Sequence, residues 1–426
     1  MQPSLFKTPY LFFLMTLIPL TGKAQEQGLD ERINEAFTPI ANWWGAVILH
    51  DFPGTSIPTI IILLVGGALF FTVYFGFVNV RRFPTAIQTV RGKYDEFGHH
   101  ESGSTDLAIE GNIKDTIRDE SQEGEVSHFQ ALATAVSGTV GNGNIAGVAL
   151  AIAVGGPGAT LWMILCGLLG MSTKFVECTL GVRYRDVGED GTVYGGPMYY
   201  LTKGLRERGL GKIGKFLAVT FAVLCIGASF GGGNAAQSNQ AAMQLVNSLG
   251  MTGGNARTII GLIMMVFVGI IIIGGIKRIA LVTEKIVPFM ALMYVLACLY
   301  IIGSNFSFVD DAFGMIFSQA FNPQAGLGGI LGVLITGFRR AAFSNEAGAG
   351  SASIAHAAVK TKYAASEGLV ALLEPFIDTV VICTMTALVI IIFNGDSTVF
   401  DYGGVGGKVI IDGLAVEGAG ITAAAF

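Results

Sequence analysis

A polar, glycine-rich stretch interrupts a long apolar segment between Ser137 and Gly147, and its residue types suit the binding of a small charged ligand. Four glycines and two asparagines fall within these eleven residues, a composition that disfavours a continuous helix. A broken membrane helix leaves N–H groups unpaired at one half and C=O groups unpaired at the other. The N–H groups attract a carboxylate, and the C=O groups attract a cation such as Na⁺. The stretch therefore predicts a ligand site built largely from backbone.

A second stretch of this kind runs from Thr336 to Gly350 and also carries charge. Arg339, Arg340 and Glu346 lie inside an apolar segment, where charged side chains usually face a site or one another. This segment comes five spans after the first and therefore crosses the membrane in the opposite direction. Paired interruptions in two halves of opposite orientation predict a secondary transporter with an inverted repeat.

A third polar group lies on a segment between these two. Phe230 and Gln237 are seven residues apart, so they lie on one face of a helix, and a triple glycine stands between them. Simple hydrogen bonding between helices would explain the polar face. A ligand site explains better why the backbone must also come close there, and it is the interpretation we favour.

Other charged residues have weaker claims to function. Glu374 and Asp378 are one turn apart, and an ion pair with one of the two arginines is favoured over a proton relay. Lys174 and Glu177 are interpreted as a structural pair near a cytoplasmic helix end. His356 has no evident partner in the sequence. We treat five residues as an intramembrane charge network rather than as a catalytic set: Arg339, Arg340, Glu346, Glu374 and Asp378.

The first glycine-rich stretch has two other interpretations. Gly141, Gly143 and Ala146 match a dinucleotide-binding fingerprint, but the acidic residue expected about 20 residues later is missing. Gly143 and Gly147 also have the spacing of a close helix contact, which by itself is as good an explanation as a broken helix. The sequence contains no phosphate-binding loop and no zinc motif. We therefore expect no cofactor, no metal centre, no enzymatic activity and no ATPase partner.

The composition decides the class of protein. Of the 426 residues, 52% are hydrophobic and 13% are charged, whereas soluble domains are about 25% charged. The net charge of −5 gives no reason to expect a nucleic-acid partner. An all-α polytopic membrane protein remains, in contact with lipid. Apolar segments that suit spans lie at 57–79, 129–155, 158–182, 214–247, 258–276, 280–303, 326–357 and 367–393.

Lysine and arginine concentrate in the loops after the odd-numbered spans, which assigns those loops to the cytoplasm. The N-terminus is then extracytoplasmic. Residues 1–24 have the pattern of a signal peptide, residues 25–56 are an extracytoplasmic segment, residues 57–82 hold the first helix, and residues 94–126 form a polar cytoplasmic loop. The last residues, 420–426, look like the start of another span, so we expect a C-terminal truncation.

Several long motifs, in order, resemble the alanine/glycine:cation symporter family. They include Gly-Asn-Gly-Asn-Ile-Ala-Gly at 141–147 and Phe-Ser-Asn-Glu-Ala-Gly at 343–348. Others lie at 124–132, 155–163, 194–200, 377–379 and 383–388. The similarity runs from about residue 32 to the end of the chain. Thr160, Leu161 and Ile164 depart from the pattern, on a helix that we expect to face lipid or scaffold.

The resemblance implies a LeuT-type fold in which two five-helix inverted repeats follow one extra helix. Residues 127–304 would form the first repeat, and residues 305–426 would begin the second with a broken span at 326–357 and a span at 367–393. The family imports alanine or glycine with Na⁺ by alternating access, here across a bacterial inner membrane. The implied cation ligands are carbonyls of Val136 and Thr139, with hydroxyls from a ninth span. The implied substrate residues are Thr139, Gly141, Asn142, Gly143, Asn144, Phe230, Gln237, Phe343 and Ser344.

Three alternatives stay open beside a sodium-coupled symporter. A proton-coupled carrier would use Glu374, Asp378 or Glu346. An amino-acid-binding membrane sensor would bind without moving its ligand, and a channel would show no accelerated exchange.

Overall fold

The computed structural model describes residues 29–94, 124–251, 255–322, 329–395 and 397–426. The predicted signal peptide and nearly all of the predicted polar loop lie outside these residues. The chain divides into two compact units, residues 1–47 and 48–426. The described part of the first unit belongs to helix α1, Leu29–Ile48, whose Phe37, Ile40 and Trp43 side chains are exposed.

Among the described residues, four helices are long and apolar enough to cross a membrane, and a bent pair of helices is a fifth candidate. These helices confirm a polytopic membrane protein. Two predicted spans, 57–79 and 258–276, form shorter apolar helices of 16 and 17 residues. The four long helices are Ala159–Arg183, Gly211–Ser248, Gly275–Ser304 and Ala364–Asn394, and the bent pair is His128–Thr139 with Gly143–Gly155.

The first part of the second unit contains the bent pair and the long helix that follows it. The segment 140–142 separates the two halves of the pair, and the second half begins with a π-helical turn, Gly143–Gly147. The elements are α2 Thr59–Tyr74, α3 Val78–Arg81, α4 Phe83–Val90, α5 His128–Thr139, α6 Val148–Gly155 and α7 Ala159–Arg183.

A short antiparallel pair of strands, β1 Asp186–Val187 and β2 Val193–Tyr194, leads into five more helices. A π-helical segment, Ser229–Ala235, joins α9 to α10 at the triple glycine. The helices are α8 Pro197–Glu207, α9 Gly211–Ala228, α10 Ala236–Ser248, α11 Ala256–Ile272 and α12 Gly275–Ser304.

The remaining elements include the second interrupted segment. The helix α14 ends at Asn345, and a turn that contains Glu346 with a positive φ of 52° leads to α15. The other elements are α13 Val309–Ala320, α14 Gly329–Asn345, α15 Ala352–His356, α16 Ala364–Ala371, α17 Leu373–Pro375, a π-helical segment Phe376–Cys383, α18 Thr384–Asn394, β3 Lys408–Ile411, β4 Leu414–Glu417 and α19 Ala419–Ala425.

The helix α7 lies at the centre of the packing, against α2, α14, α15 and α16. Its glycines allow neighbours to approach closely. A Cβ on Gly167 would lie 2.9 Å from Thr379, and a Cβ on Gly337 of α14 would lie 2.6 Å from the Ala159 carbonyl oxygen. Real Cβ atoms do not come that near to other atoms, so these helices can pack this closely only because glycine stands at both positions.

Candidate substrate and cation site

The helix α5 ends where the sequence predicts an interruption. Ser127 begins α5 with a capping box, in which its hydroxyl accepts from the Gln130 amide. The helix ends at Thr139, Val140 is extended, and the pair of helices bends by 49° before the chain turns helical again. The interruption therefore exists, and its backbone lies at a bend between two membrane-inserted halves.

Side-chain oxygens of the bend and of α10 accept hydrogen bonds from the backbone amides that the interruption frees. The Gly141 amide donates to Asn144 Oδ1 at 2.8 Å, and the Asn142 amide donates to Gln237 Oε1 at 3.3 Å. The Asn142 side chain in turn donates to the Gln237 carbonyl oxygen at 2.9 Å. Gln237 and the bend are thus in direct contact across 95 positions of sequence.

A cavity of about 1120 Å³ opens beside this contact. Gly141, Asn142, Phe230 and Gln237 line it, together with apolar side chains of α9 and α11. Phe230 is 72% exposed and belongs to the π-helical segment Ser229–Ala235. Phe343 is 50% exposed and does not line the cavity, although a Cβ on Gly232 would lie 3.8 Å from its ring. Four of the predicted substrate residues therefore share one cavity.

Three other predicted residues, Asn144, Ser344 and Asp378, form a buried polar cluster with Thr379 on the far side of the bend. The Asp378 carboxylate accepts from the side-chain amide of Asn144 at 2.7 Å and from the Ser344 hydroxyl at 2.8 Å. It also accepts from the Thr379 hydroxyl at 2.7 Å. All four side chains are buried. Asn144 thus links the cavity side of the bend to a carboxylate, because its oxygen faces Gly141 and its nitrogen faces Asp378.

The two interrupted segments touch at Gly143. A Cβ at this position would lie 3.0 Å from the Ser344 hydroxyl and 3.1 Å from Ser344 Cα. The bend agrees with the broken-helix alternative. Of the two glycines in the packing alternative, Gly143 makes a close contact with another segment, whereas a Cβ on Gly147 would meet only the Asn142 carbonyl oxygen, at 3.8 Å.

The two predicted cation ligands differ in their surroundings. The Val136 carbonyl accepts from the Val140 amide at 2.8 Å, as in any helix. Thr139 is buried at the last turn of α5, and its hydroxyl lies 3.4 Å from the Val136 carbonyl oxygen. The helix is regular through Thr139, so the interruption does not release the Val136 carbonyl.

The predicted ion pair of Arg339 or Arg340 with Glu374 or Asp378 is wrong. Glu374 accepts a hydrogen bond from Lys174 at 3.1 Å. The Asp378 carboxylate accepts from Asn144, Ser344 and Thr379 instead. Arg339 is exposed, and neither it nor Arg340 forms an ion pair within the described ranges. Lys174, buried on α7, takes the place beside Glu374 that the prediction gave to an arginine.

The remaining member of the predicted network and two residues outside it also differ from expectation. Glu346 accepts from the Ser351 hydroxyl within the turn between α14 and α15. Lys174 is fully buried rather than near a solvated helix end, and it contacts Glu177 at 3.7 Å. His356 has a partner, the carboxylate of Glu367. The sequence did not single out Glu367, because its only distinguishing feature is its position at the edge of an apolar segment.

Comparison with known proteins decides the family. Residues 46–417 match the sodium:alanine symporter family. This chain belongs to that family. Its members are transporters rather than enzymes, which agrees with the absence of a catalytic motif from the sequence.

Individual relatives give the extent of the similarity to the sodium:alanine symporter family. The chain is 41% identical over 371 residues to the sodium/alanine symporter AgcS of Methanococcus maripaludis, which covers 87% of this chain and 72% of the relative. It is 40% identical to the putative sodium/proton-dependent alanine carrier protein YrbD of Bacillus subtilis, over 66% of this chain and 56% of that protein. The probable sodium/glutamine symporter GlnT of the same organism is 36% identical, over 78% and 62%.

Proposed function

We propose that this protein is a sodium-coupled symporter that carries small neutral amino acids, such as alanine and glycine, across a bacterial inner membrane. The observation that carries this proposal is the bend after Thr139, which has Gln237 on one side and buried Asp378 on the other. An amino-acid site and a cation site would then share a single interrupted helix. The names of the relatives AgcS and YrbD support alanine as a substrate.

The amino-acid site lies, in this proposal, at the bend. The substrate carboxylate binds the amides of Gly141, Asn142 and Gly143 because N–H groups at the start of a half-helix favour negative charge. To do so it replaces Gln237 Oε1 as the acceptor of the Asn142 amide, and the freed Gln237 side chain hydrogen-bonds the ligand. Phe230 covers the apolar side of the cavity. Phe343 of α14, whose ring lies near Gly232, closes over the ligand from outside the cavity lining.

The cation site lies, in this proposal, between the bend and the buried polar cluster. Asp378 supplies a carboxylate, Ser344 supplies a hydroxyl, and the Val136 and Thr139 carbonyls complete the oxygen ligands. Hard cations prefer such oxygens, and an unneutralised carboxylate is costly inside a membrane. A bound cation offsets that cost, which couples cation binding to the arrangement of both interrupted segments.

Transport follows by alternating access around this fixed site. Two LeuT-type inverted repeats, with the N-terminus extracytoplasmic, supply the moving parts: the interrupted segments change their angle while the other helices form a scaffold. Amino acid and cation each raise the affinity for the other because both favour the same closed state.

The test is uptake of labelled alanine into proteoliposomes under an inward Na⁺ gradient, an inward proton gradient or neither. Na⁺-dependent accumulation supports the proposal, whereas accumulation driven by the proton gradient alone replaces it with proton coupling. Binding without flux would make the protein a sensor. Exchange of labelled against unlabelled alanine separates a carrier from a channel. Protein-free liposomes serve as the control for leakage.

A further inference from the structure

Six ionisable side chains from five helices form a buried cluster next to α7 and away from the amino-acid cavity. Five of them are buried, and the sixth, His128, has a side chain that is 11% exposed. We call this group the His–Glu cluster. Its members are His128 of α5, Lys174 and Glu177 of α7, His356 of α15, Glu367 of α16 and Glu374 of α17.

Glu367 joins the two imidazoles. One carboxylate oxygen, Oε2, contacts Nδ1 of His128, and the other, Oε1, contacts Nδ1 of His356. Both contacts are hydrogen bonds. Glu367 itself is fully buried, so both of its oxygens are satisfied by imidazoles that can each hold one or two protons.

Glu374 continues the series toward α7. Its Oε1 accepts from Lys174 at 3.1 Å, and its Oε2 lies 3.9 Å from Nε2 of His356. His356 Nε2, Glu374 Oε2 and Glu177 Oε1 have no hydrogen-bond partner among the described residues. Buried polar atoms are almost always hydrogen-bonded, so these exceptions point to a function. The open nitrogen and the open carboxylate oxygen face each other.

The charges of the His–Glu cluster do not balance without additional protons. Three carboxylates and one ammonium leave an excess of two negative charges when both imidazoles are neutral. A buried charge without compensation is strongly unfavourable. Protonation of both imidazoles makes the cluster neutral. The cluster can therefore bind two further protons, one on each imidazole. The pair of Lys174 and Glu177 does not supply the positive charge that these protons would bring.

The surroundings do not remove this excess. Cys178 on α7 and Tyr200 on α8 are neutral neighbours when protonated, and Ser353 of α15 is polar without charge. Glu346, in the turn after α14, and Asp378, one turn after Glu374, add negative charge near Lys174 and Glu374. Among the described residues, Lys174 is the only lysine or arginine within salt-bridge distance of these carboxylates.

We infer that the His–Glu cluster is a proton-binding site, separate from the amino-acid and cation sites, that takes up two protons between α5, α7 and α15–α17. His128 gives it access to solvent, and Glu367 passes a proton from His128 to His356. Loss of the protons at high pH leaves buried negative charge and loosens the packing of α15 and α16 against α7. If the proposed function holds, transport then slows at high pH, but proton binding itself does not depend on transport.

The first test measures unfolding of the purified protein in detergent between pH 6 and 9, without amino acid. The folded state binds more protons than the unfolded state in this range, so stability falls as pH rises, up to about tenfold in the unfolding constant per pH unit for each proton. The variant His356→Gln should lose one proton's share of that slope. His50→Gln is the control because His50 is exposed and outside the cluster. A wild-type slope in His356→Gln overturns the inference.

A second test does not require His356→Gln to fold. The chain has five histidines, and replacing His50, His99 and His100 with glutamine leaves only the two imidazoles of the cluster. Nitrogen-15 NMR of this histidine-labelled protein then reports their protonation directly. Signals that change between pH 6 and 9 support the inference. Signals that stay constant over the whole range show a fixed ion-pair network and overturn it, whatever the transport assay gives.

Discussion

Replacing Gly143 with alanine tests whether the two interrupted segments must touch. A Cβ there would lie 3.0 Å from the Ser344 hydroxyl oxygen, 3.1 Å from Ser344 Cα and 3.3 Å from Ser344 Cβ. Carbon atoms in good contact lie about 3.5–4.0 Å apart, so α14 and the bend must separate by several tenths of an ångström. Ser344 cannot turn aside freely, because it is buried and donates to Asp378 at 2.8 Å.

The size of the effect follows from this geometry. An added methyl group in a close-packed interior costs about 1–3 kcal/mol. If that cost falls on the closed, ligand-bound state, the affinity for alanine decreases roughly 5- to 150-fold, because about 1.4 kcal/mol corresponds to a factor of ten.

A neighbouring glycine gives a matched control. A Cβ on Gly138 would meet nothing within 4 Å. Gly138→Ala should bind labelled alanine almost as well as the wild-type protein in a scintillation proximity assay. The reasoning is refuted if Gly143→Ala binds as tightly as Gly138→Ala, or if both variants lose binding alike.

The remaining predictions concern the cation, the ligand and the packing. Asp378→Asn should abolish the Na⁺-dependent rise in unfolding temperature, because it removes the buried negative charge with little change in volume; Asp311→Asn, at an exposed acid, should not. Gln237→Ala should weaken alanine binding roughly 2- to 12-fold, since one hydrogen bond of about 0.5–1.5 kcal/mol is lost, while Asn239→Ala on the same helix leaves affinity unchanged. Gly158→Ala should reduce the yield of folded protein measured by size-exclusion chromatography, because its Cβ would lie 2.4 Å from a backbone nitrogen of α13; a normal yield would contradict the observed packing.

The interruption of the first glycine-rich stretch was predictable because it depends on local composition. Glycine and asparagine are weak helix formers wherever they stand, so the sequence between Ser137 and Gly147 predicts a break, and the structure bends there. The second stretch was predicted less well. Its arginines drew attention to residues 336–350 as a whole, but α14 continues to Asn345 and the turn comes only at its end.

The partners of the buried charges were not predictable in the same way. Asn144 meets Asp378 across 234 positions, and Lys174 meets Glu374 across 200. No local rule connects residues that far apart. Arg340 was a reasonable partner for Glu374 by proximity in sequence, but which face of α14 and α7 turns inward depends on how all the neighbouring helices pack.

The sequence by itself determined the class of this protein, most of its spans and the place where a helix must break. Hydrophobicity and helix propensity are properties of short segments, so a short segment is enough to read them. Only the tertiary structure decided that Gly143 presses on Ser344, that Asp378 lies at the bend, and that Glu367 joins two imidazoles. Such contacts depend on distances of a few tenths of an ångström between distant segments, and the packing of the whole helical assembly sets those distances.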